Sequence, residues 1–160
     1  MPRRFKKIKF DGVNVFIQYE DGNNFQNEYT LKCDEQPRPE MAQAFKALAY
    51  EVLLLCELPE DYLGRLEVRS VSLNYGGKQE TMGATFSARM KLNYSNAPLN
   101  LNTPNKPVEP YSEGNYDDEI LQKMCLRPEC VEKLEVLIDE ANYYVDGNRA
   151  QGNLFDHTAA

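Results

Sequence analysis

The residue types that most often carry out catalysis are scarce in this sequence. Its single histidine, His157, stands close to the end of the chain, where it cannot serve a serine or cysteine nucleophile held on a rigid domain. The four cysteines are Cys33, Cys56, Cys125 and Cys130, and none of them forms a C-x-x-C pair. Because structural zinc needs closely paired cysteines or additional histidines, we expect no metal site and reduced cysteines.

Acidic residues stand together at three predicted boundaries of helices or strands. They are Asp34-Glu35, Glu60-Asp61 and Asp117-Asp118-Glu119. Acidic side chains at such places cap helices, form turns or face water more often than they catalyse a reaction. The sequence also lacks the glycine-rich patterns that bind phosphates, and Gly76-Gly77-Lys78 is explained by a hairpin turn. We therefore predict a noncatalytic protein without a cofactor.

Two groups of cationic residues raise the question of an anionic ligand. The first mixes basic and aromatic residues in the predicted first strand: Arg3, Arg4, Phe5, Lys6, Lys7, Lys9 and Phe10. This arrangement suits either contact with nucleic acid or an edge strand protected by lysines, and we favour the edge strand. The second group consists of Arg65, Arg69 and Arg89, together with Tyr75. A deep pocket lined by these side chains, or by the proline-rich arm that follows, would suit a nucleotide-like ligand.

The end of the chain, RAQGNLFDHTAA, places two apolar residues after the predicted last helix. Its segment Gln151-Gly152-Asn153-Leu154-Phe155 resembles the bacterial sliding-clamp-binding motif, which consists of Gln, two variable positions, Leu and Phe. The resemblance implies that Leu154 and Phe155 fill a hydrophobic groove of the clamp, while the Gln151 amide hydrogen-bonds at the other end. Gly152 replaces a frequently apolar residue and ordering the tail costs entropy, so the implied affinity is micromolar or weaker. Two other interpretations stay open: the apolar residues fold back onto the domain, or they bind a different partner.

The body of the chain resembles small accessory proteins of phages and prophages, in stretches such as MGATFSARMKLNYSNAPLNLNTPNKP and RAQGNLF. This resemblance implies a replication or recombination accessory recruited to the clamp, an inhibitor of a host protein, or a binding module for a small ligand. We favour the clamp-binding accessory protein. The alternative is an anti-defence protein that sequesters a nucleotide-like signal or inhibits a host enzyme. An acidic decoy for a DNA-binding enzyme is a third option.

Turn residues and apolar periodicity predict the elements of the first half of the chain. Asp11-Gly12 and Asp21-Gly22 separate three strands, and a helix is expected between Pro39 and Pro59. A hairpin at Gly76-Gly77 then joins two further strands, the first of which has a bulge near Ser70.

The second half is predicted to begin with an irregular arm and to end in helices. Residues 95–116, rich in proline and asparagine, form a packed surface arm or a loop that covers a ligand. A loop that binds a partner is a further alternative for this arm, and the alternation of Leu99 and Leu101 with asparagines suits an extended segment that pins the arm to the sheet. One helix is expected from Asp117-Asp118, and another from Pro128 to Asp146-Gly147. The predicted architecture is a single α+β domain, residues 1–147, with about five antiparallel strands, one central helix and two C-terminal helices, ordered β-β-β-α-β-β-α-α. Residues 148–160 form a flexible tail.

Charge is distributed unevenly along the sequence. The net charge is -7, although cations crowd the first strand, because acidic residues are concentrated between Glu109 and Asp146. We expect a polarised molecule whose overall sign disfavours direct binding of nucleic acid, since generic affinity for phosphates depends on Lys and Arg contacts. No apolar run reaches the length of a membrane span and the N-terminus lacks the apolar core of a signal peptide, so we expect a location in the bacterial cytoplasm.

Overall fold

Alternating apolar residues build a sheet, and proline-bounded apolar stretches build the helices that cover it. The structure, a computed structural model, describes residues 2–76, 79–109 and 123–150. The strands are β1 (Arg4–Phe10), β2 (Val15–Asp21), β3 (Asn27–Cys33), β4 (Leu66–Gly76), β5 (Thr81–Met90), β6 (Leu99–Asn102) and β7 (Lys106–Pro107). The helices are α1 (Pro39–Ala47), α2 (Ala49–Leu55) and α3 (Pro128–Val145), with a 3-10 helix at Glu60–Arg65. The predicted α+β class with an antiparallel sheet is confirmed.

The first strand lies inside the sheet rather than at its edge. The hydrogen-bonded order is β3-β2-β1-β4-β5-β6, and β7 also pairs with β5. On β1, Ile8 lies opposite Ile17 of β2 on one side and Val71 of β4 on the other. The interpretation of β1 as a lysine-protected edge strand was therefore wrong, because both of its edges are occupied by neighbouring strands.

The predicted count of about five strands was too low, since the described residues form seven. The two additional strands come from the arm, 95–116, where the sequence indicated an extended segment at Leu99 and Leu101 that was not counted as a strand. Between β6 and β7, the N–H of Thr103 donates to the Phe86 carbonyl, and the N–H of Phe86 donates to the Thr103 hydroxyl, both at 2.9 Å. A side-chain hydroxyl thus replaces a backbone acceptor and keeps the arm bound to the edge of β5.

The predicted turns at Asp11-Gly12 and Asp21-Gly22 and the predicted bulge are present, whereas Gly77 of the predicted Gly76-Gly77 turn lies outside the described residues. At the first turn, the Asp11 carboxylate accepts hydrogen bonds from the N–H groups of Val13 and Asn14. Gly12 has φ of +94°, a conformation that a residue with a Cβ atom rarely adopts. The register of β4 and β5 shifts between Val68 and Ser70, which confirms the bulge.

The apolar stretch between Pro39 and Pro59 forms two helices instead of the single predicted helix. They are separated at Leu48, whose N–H donates to the Phe45 carbonyl three residues back, as in a tighter 3-10 turn. Leu48 is fully buried, so the interruption lies against the core.

The last helix, α3, has the predicted bounds. It starts at Pro128 and ends at Val145, after which Gly147 adopts φ of +100°. The helix predicted from Asp117-Asp118 lies outside the described residues. In the part of the chain that the structure describes, no helix has both the length and the apolar composition needed to cross a lipid bilayer.

The helices cover one face of the sheet and form a common core with it. Among the fully buried side chains are Ile8, Ile17, Val71, Phe86, Val52, Leu134 and Leu137. Each such side chain stabilises the fold by about 1.5–3 kcal/mol relative to an exposed one. The face of the sheet that no described helix covers carries many polar side chains, and it holds two of the three depressions of the candidate site; the third lies beside α1.

Candidate functional site

The uncovered face of the sheet gathers cations from strands that are distant in sequence. Side chains alternate along a strand, so the neighbours of buried Ile8 on β1, Lys7 and Lys9, point to the uncovered face. Their cross-strand neighbours are Phe16, Gln18, Ser70 and Ser72. Because Lys7 and Lys9 lie at the centre of the sheet, they do not protect an edge. We therefore consider them as residues that could bind a ligand.

A first depression on this face has a volume of about 270 Å³. Its cationic lining residues are Lys7, Lys9, Arg69 and Arg89, and none of the described carboxylates lines it. Ser87 and Asn102, which also line it, hydrogen-bond to each other at 2.6 Å.

A second depression, of about 330 Å³, adjoins the first and shares Arg69 and Arg89 with it. It adds Arg65 and Lys91, and its wall includes Ser95, Asn96 and Pro98 of the arm. These arginines meet because β4 pairs with β5, which places Glu67 opposite Arg89, and because the N–H of Lys91 donates to the Arg65 carbonyl. The structure thus brings together the three arginines singled out in the sequence and places the arm beside them.

A third depression, of about 540 Å³, continues from the second and shares Arg65, Glu67 and Lys91 with it. It reaches α1, where it adds the cation Lys46. Its apolar wall is formed by Phe10, Phe45, Ala49, Leu66 and Val68, among others.

Together the three depressions form what we call the basic strip. Among the described residues, its cations are Lys7, Lys9, Lys46, Arg65, Arg69, Arg89 and Lys91, and the one acidic residue that lines it is Glu67. Seven cations and one carboxylate give the strip a charge of +6, whereas the whole chain has a net charge of -7. The sequence analysis did not identify Lys46 and Lys91 as members of this site. Their positive charge was the only property in the sequence that could have indicated it.

The guanidinium of Arg69 is held in place by two contacts with neighbouring residues. Its guanidinium donates to the Asp11 carbonyl at 2.8 Å, and its Nε lies 3.2 Å from a Glu67 carboxylate oxygen. The nearby Asp11 carboxylate is engaged by backbone N–H groups, which lower its pKa, and the charges of Arg69 and Lys9 lower that pKa further. Lys9, Arg89 and Lys91 are exposed.

Tyr75 does not join the three arginines. Its hydroxyl donates to the Phe5 carbonyl at 2.7 Å, and its ring lies 4.6 Å from the guanidinium of Arg4. Burial raises the pKa of Tyr75 to about 12. These contacts connect β4 to β1 and give Tyr75 a role in packing.

A buried ion cluster joins α2 to α3 and was not found by sequence reasoning. Glu51 is 1% exposed and accepts two hydrogen bonds from Arg127, at 2.8 and 2.7 Å, and one from Lys133 at 2.7 Å. Burial alone would raise the pKa of Glu51, but these hydrogen bonds outweigh it and lower the pKa below its ordinary value. The only signal in the sequence was one glutamate within the apolar run AYEVLLL.

The residues with catalytic chemistry form no catalytic arrangement in the described residues. Cys130 is buried, and burial raises the pKa of its thiol to about 12. Glu60 and Asp61 begin the 3-10 helix, and Glu35 pairs with Arg149 at 2.8 Å. No group of histidine, cysteine and acidic side chains that could hold a metal ion occurs within residues 2–76, 79–109 and 123–150.

The predicted clamp-binding residues, Gln151, Leu154 and Phe155, lie outside the described residues. The described chain ends at Ala150, whose N–H donates to the Gln36 carbonyl at 3.0 Å. The motif therefore begins directly after a residue that is bound to the loop between β3 and α1.

The comparisons with known proteins give no further guide to the function of the strip. The chain matches no protein-family model, no curated protein and no solved structure.

Proposed function

We propose that this protein is a noncatalytic binding protein whose folded domain binds a phosphate-bearing, nucleotide-like ligand on the basic strip. The observation that supports this is the charge of the strip, seven cations against one carboxylate in a chain of net charge -7. Arg69 is paired with Glu67, but cations that outnumber the carboxylates beside them repel one another, and a bound anion reduces this repulsion.

Phosphate suits the strip better than a lone carboxylate does. Arg65, Arg69 and Arg89 supply planar guanidinium groups, which bind phosphate oxygens through two parallel hydrogen bonds. The third depression adds an apolar wall containing Phe10 and Phe45, which suits a nucleobase. Volumes of about 330 and 540 Å³ lie in the range of small-molecule sites.

Titration of nitrogen-15-labelled protein with tripolyphosphate and with thymidine triphosphate tests this proposal. The amide signals of Ser87, Arg89 and Lys91 should shift in a saturable manner with both compounds, and Arg65→Gln should weaken the binding. Lys6→Gln is a matched control, because Lys6 is exposed, lies outside the strip and contacts Glu28 at 3.5 Å. Shifts that are absent at millimolar ligand, or that are equal in Arg65→Gln and wild type, would contradict the proposal.

A second proposal concerns the tail: the protein binds the bacterial sliding clamp through Gln151, Leu154 and Phe155. The resemblance of QGNLF to the clamp-binding motif supports it, and so does the start of the motif directly after Ala150, which is bound to the body. In this function the tail recruits the protein to replication or recombination sites and the strip supplies its second activity. Without clamp binding, the strip fits the alternative of an anti-defence protein that sequesters a nucleotide-like signal.

The clamp proposal is tested by measuring the binding of purified protein to a bacterial sliding clamp. Wild type should bind saturably with micromolar affinity or weaker, and the double variant Leu154→Ala, Phe155→Ala should not bind. Asn153→Ala is the control, because it changes a variable position of the motif. If the double variant binds like wild type, or wild type does not bind, the tail has another role.

A further inference from the structure

We infer that the ligand of the basic strip is a single-stranded nucleic acid rather than a single nucleotide. This inference rests on the proposed phosphate-binding function and specifies its substrate class. It follows from the length of the strip, its exposed aromatic residues and the position of the acidic residues.

The strip is longer than one nucleotide requires. Its first depression extends from β1 across β4 and β5 to β6, which is about 14 Å at the usual spacing of neighbouring strands. The shared residues Arg65 and Lys91 then continue the strip to Lys46 on α1. A mononucleotide would leave most of the seven cations without a partner, whereas a chain with one phosphate per nucleotide supplies anions along the whole path.

Aromatic side chains next to the cations favour unpaired bases. Tyr94 is fully exposed, and it belongs to the loop whose residues Lys91 and Ser95 line the second depression. On the sheet, the partly exposed Phe16 ring lies 6.0 Å from the Lys7 ammonium. Exposed rings stack on bases only where the bases are not already stacked in a duplex, so rings beside a cationic groove are typical of single-strand binding.

Hydrogen-bonding groups on the same face match the edges of bases. Ser87 of β5 and Asn100 and Asn102 of the arm line the first depression together with the cations of β1. Hydroxyl and amide groups both donate and accept hydrogen bonds, so they can meet unpaired bases. A duplex would present only its phosphates to these groups at a flat sheet surface.

The net negative charge of the chain does not exclude this inference. Glu67 lines the strip and Asp11 lies near Arg69 and Lys9, but another group of the described acidic residues lies on α3. The exposed acidic residues of α3 are Glu129, Glu132, Glu135 and Asp139, and α3 packs on the opposite face of the sheet. Charges separated by more than about 8–10 Å are largely screened at ordinary salt concentrations. A bound strand therefore interacts mainly with the strip.

Fluorescence anisotropy of a labelled oligothymidine of about twelve nucleotides tests the inference. The oligothymidine should bind at least tenfold more tightly than thymidine triphosphate and than a duplex of the same length. If the strip contacts about four phosphates, affinity should fall about 50-fold between about 50 and 200 mM salt.

Three variants locate the binding. Lys9→Gln and Arg89→Gln should each weaken oligothymidine binding about eightfold at about 50 mM salt and about threefold at about 200 mM, since each removes one phosphate contact. Lys6→Gln, outside the strip, should change it less than about twofold. Tyr94→Ala should weaken oligothymidine binding at least about fivefold without changing tripolyphosphate binding, because it removes a stacking surface and no charge.

The remaining outcomes separate this inference from the proposal on which it rests. If thymidine triphosphate binds as tightly as oligothymidine and Arg89→Gln weakens both, the ligand is a nucleotide, and the inference fails while the proposed function stands. Equal affinity for the duplex, or oligothymidine binding that is unchanged in Tyr94→Ala, also overturns the inference. If neither oligothymidine, thymidine triphosphate nor tripolyphosphate binds, both the inference and the proposed function are wrong.

Discussion

Glu51→Gln is expected to lower the free energy of unfolding by about 3 kcal/mol. The side chain is 1% exposed and accepts three hydrogen bonds of 2.7 to 2.8 Å from Arg127 and Lys133. Hydrogen bonds to charged groups contribute about 1.5–3 kcal/mol each, so the gross loss exceeds 4 kcal/mol. However, the side chains of Arg127 and Lys133 are 40% and 30% exposed and regain water, which places the net loss at the low end of about 3–5 kcal/mol for a broken buried pair.

The measurement is urea unfolding, followed by far-UV circular dichroism and tyrosine fluorescence because the chain has no tryptophan. For a domain of this size, 3 kcal/mol corresponds to a decrease in Tm of about 6–12 °C. Glu135→Gln is the matched control: it removes an exposed carboxylate from α3 and should cost less than about 0.5 kcal/mol. A loss below about 1 kcal/mol in Glu51→Gln would refute the view that the cluster stabilises the fold.

The pH dependence of the same pair of proteins gives a second check. Hydrogen bonds lower the pKa of Glu51 in the folded protein, so its contribution is present above the unfolded pKa of about 4.3 and is lost as the pH falls through the folded pKa. The difference in the free energy of unfolding between wild type and Glu51→Gln should therefore be constant near neutral pH. It should decrease only below about pH 4. A difference that decreases already between neutral pH and about pH 5 would contradict this assignment.

Three further predictions concern buried polar groups. Thr103→Val should lower the free energy of unfolding, measured in urea, by about 1–3 kcal/mol, because the N–H of Phe86 loses its acceptor. Thr103→Ser keeps the hydroxyl and should lower it less. Burial raises the pKa of Glu140, whose carboxylate lies 3.7 Å from Arg38, so the contribution of Glu140 to the free energy of unfolding should fall as the pH rises from about 4.3 through its folded pKa. The free energy of unfolding of wild type relative to Glu140→Gln should therefore fall over this range, and a difference that does not change with pH would contradict this. Since burial raises the pKa of Cys130 to about 12, mass spectrometry should find it unmodified by iodoacetamide near neutral pH in the folded protein and modified in urea.

The elements that depend on neighbouring residues could be predicted from the sequence. Asp11-Gly12 forms its turn through hydrogen bonds within four residues, and Pro128 and Gly147 bound α3 through their own backbone preferences. The alternation of apolar and polar residues along β4 is interrupted between Val68 and Val71, and this interruption likewise indicates the bulge. Each of these features is determined by contacts that are close in the chain.

Strand order and the pairing of the arm with β5 could not be predicted in this way. β1 lies inside the sheet because it pairs with β4, about sixty residues further along, and its alternating lysines give no information about that partner. The arm joins the sheet through the hydroxyl of Thr103 and the edge of β5, although asparagine and proline are poor strand formers. Pairing over such separations depends on which edges remain available in the folded chain.

The candidate site was predictable only in part for the same reason. Arg65, Arg69 and Arg89 meet because β4 and β5 form a hairpin, which the sequence predicts. Lys7 and Lys9 join them only through the pairing of β1 with β4. Tyr75, by contrast, was grouped with the arginines although its side chain contacts Arg4 and Phe5 on β1.

The separation of the basic strip from the acidic surface of α3 gives the molecule a large electric dipole. A distant polyanion experiences mainly the net charge of -7 and is repelled, and only a close approach with the strip in front is favourable. Encounters should therefore be slow, and lowering the salt concentration should lengthen the life of the complex without speeding its formation. A protein with this charge distribution gains most from a partner that a separate contact already holds nearby, because high local concentration replaces long-range attraction.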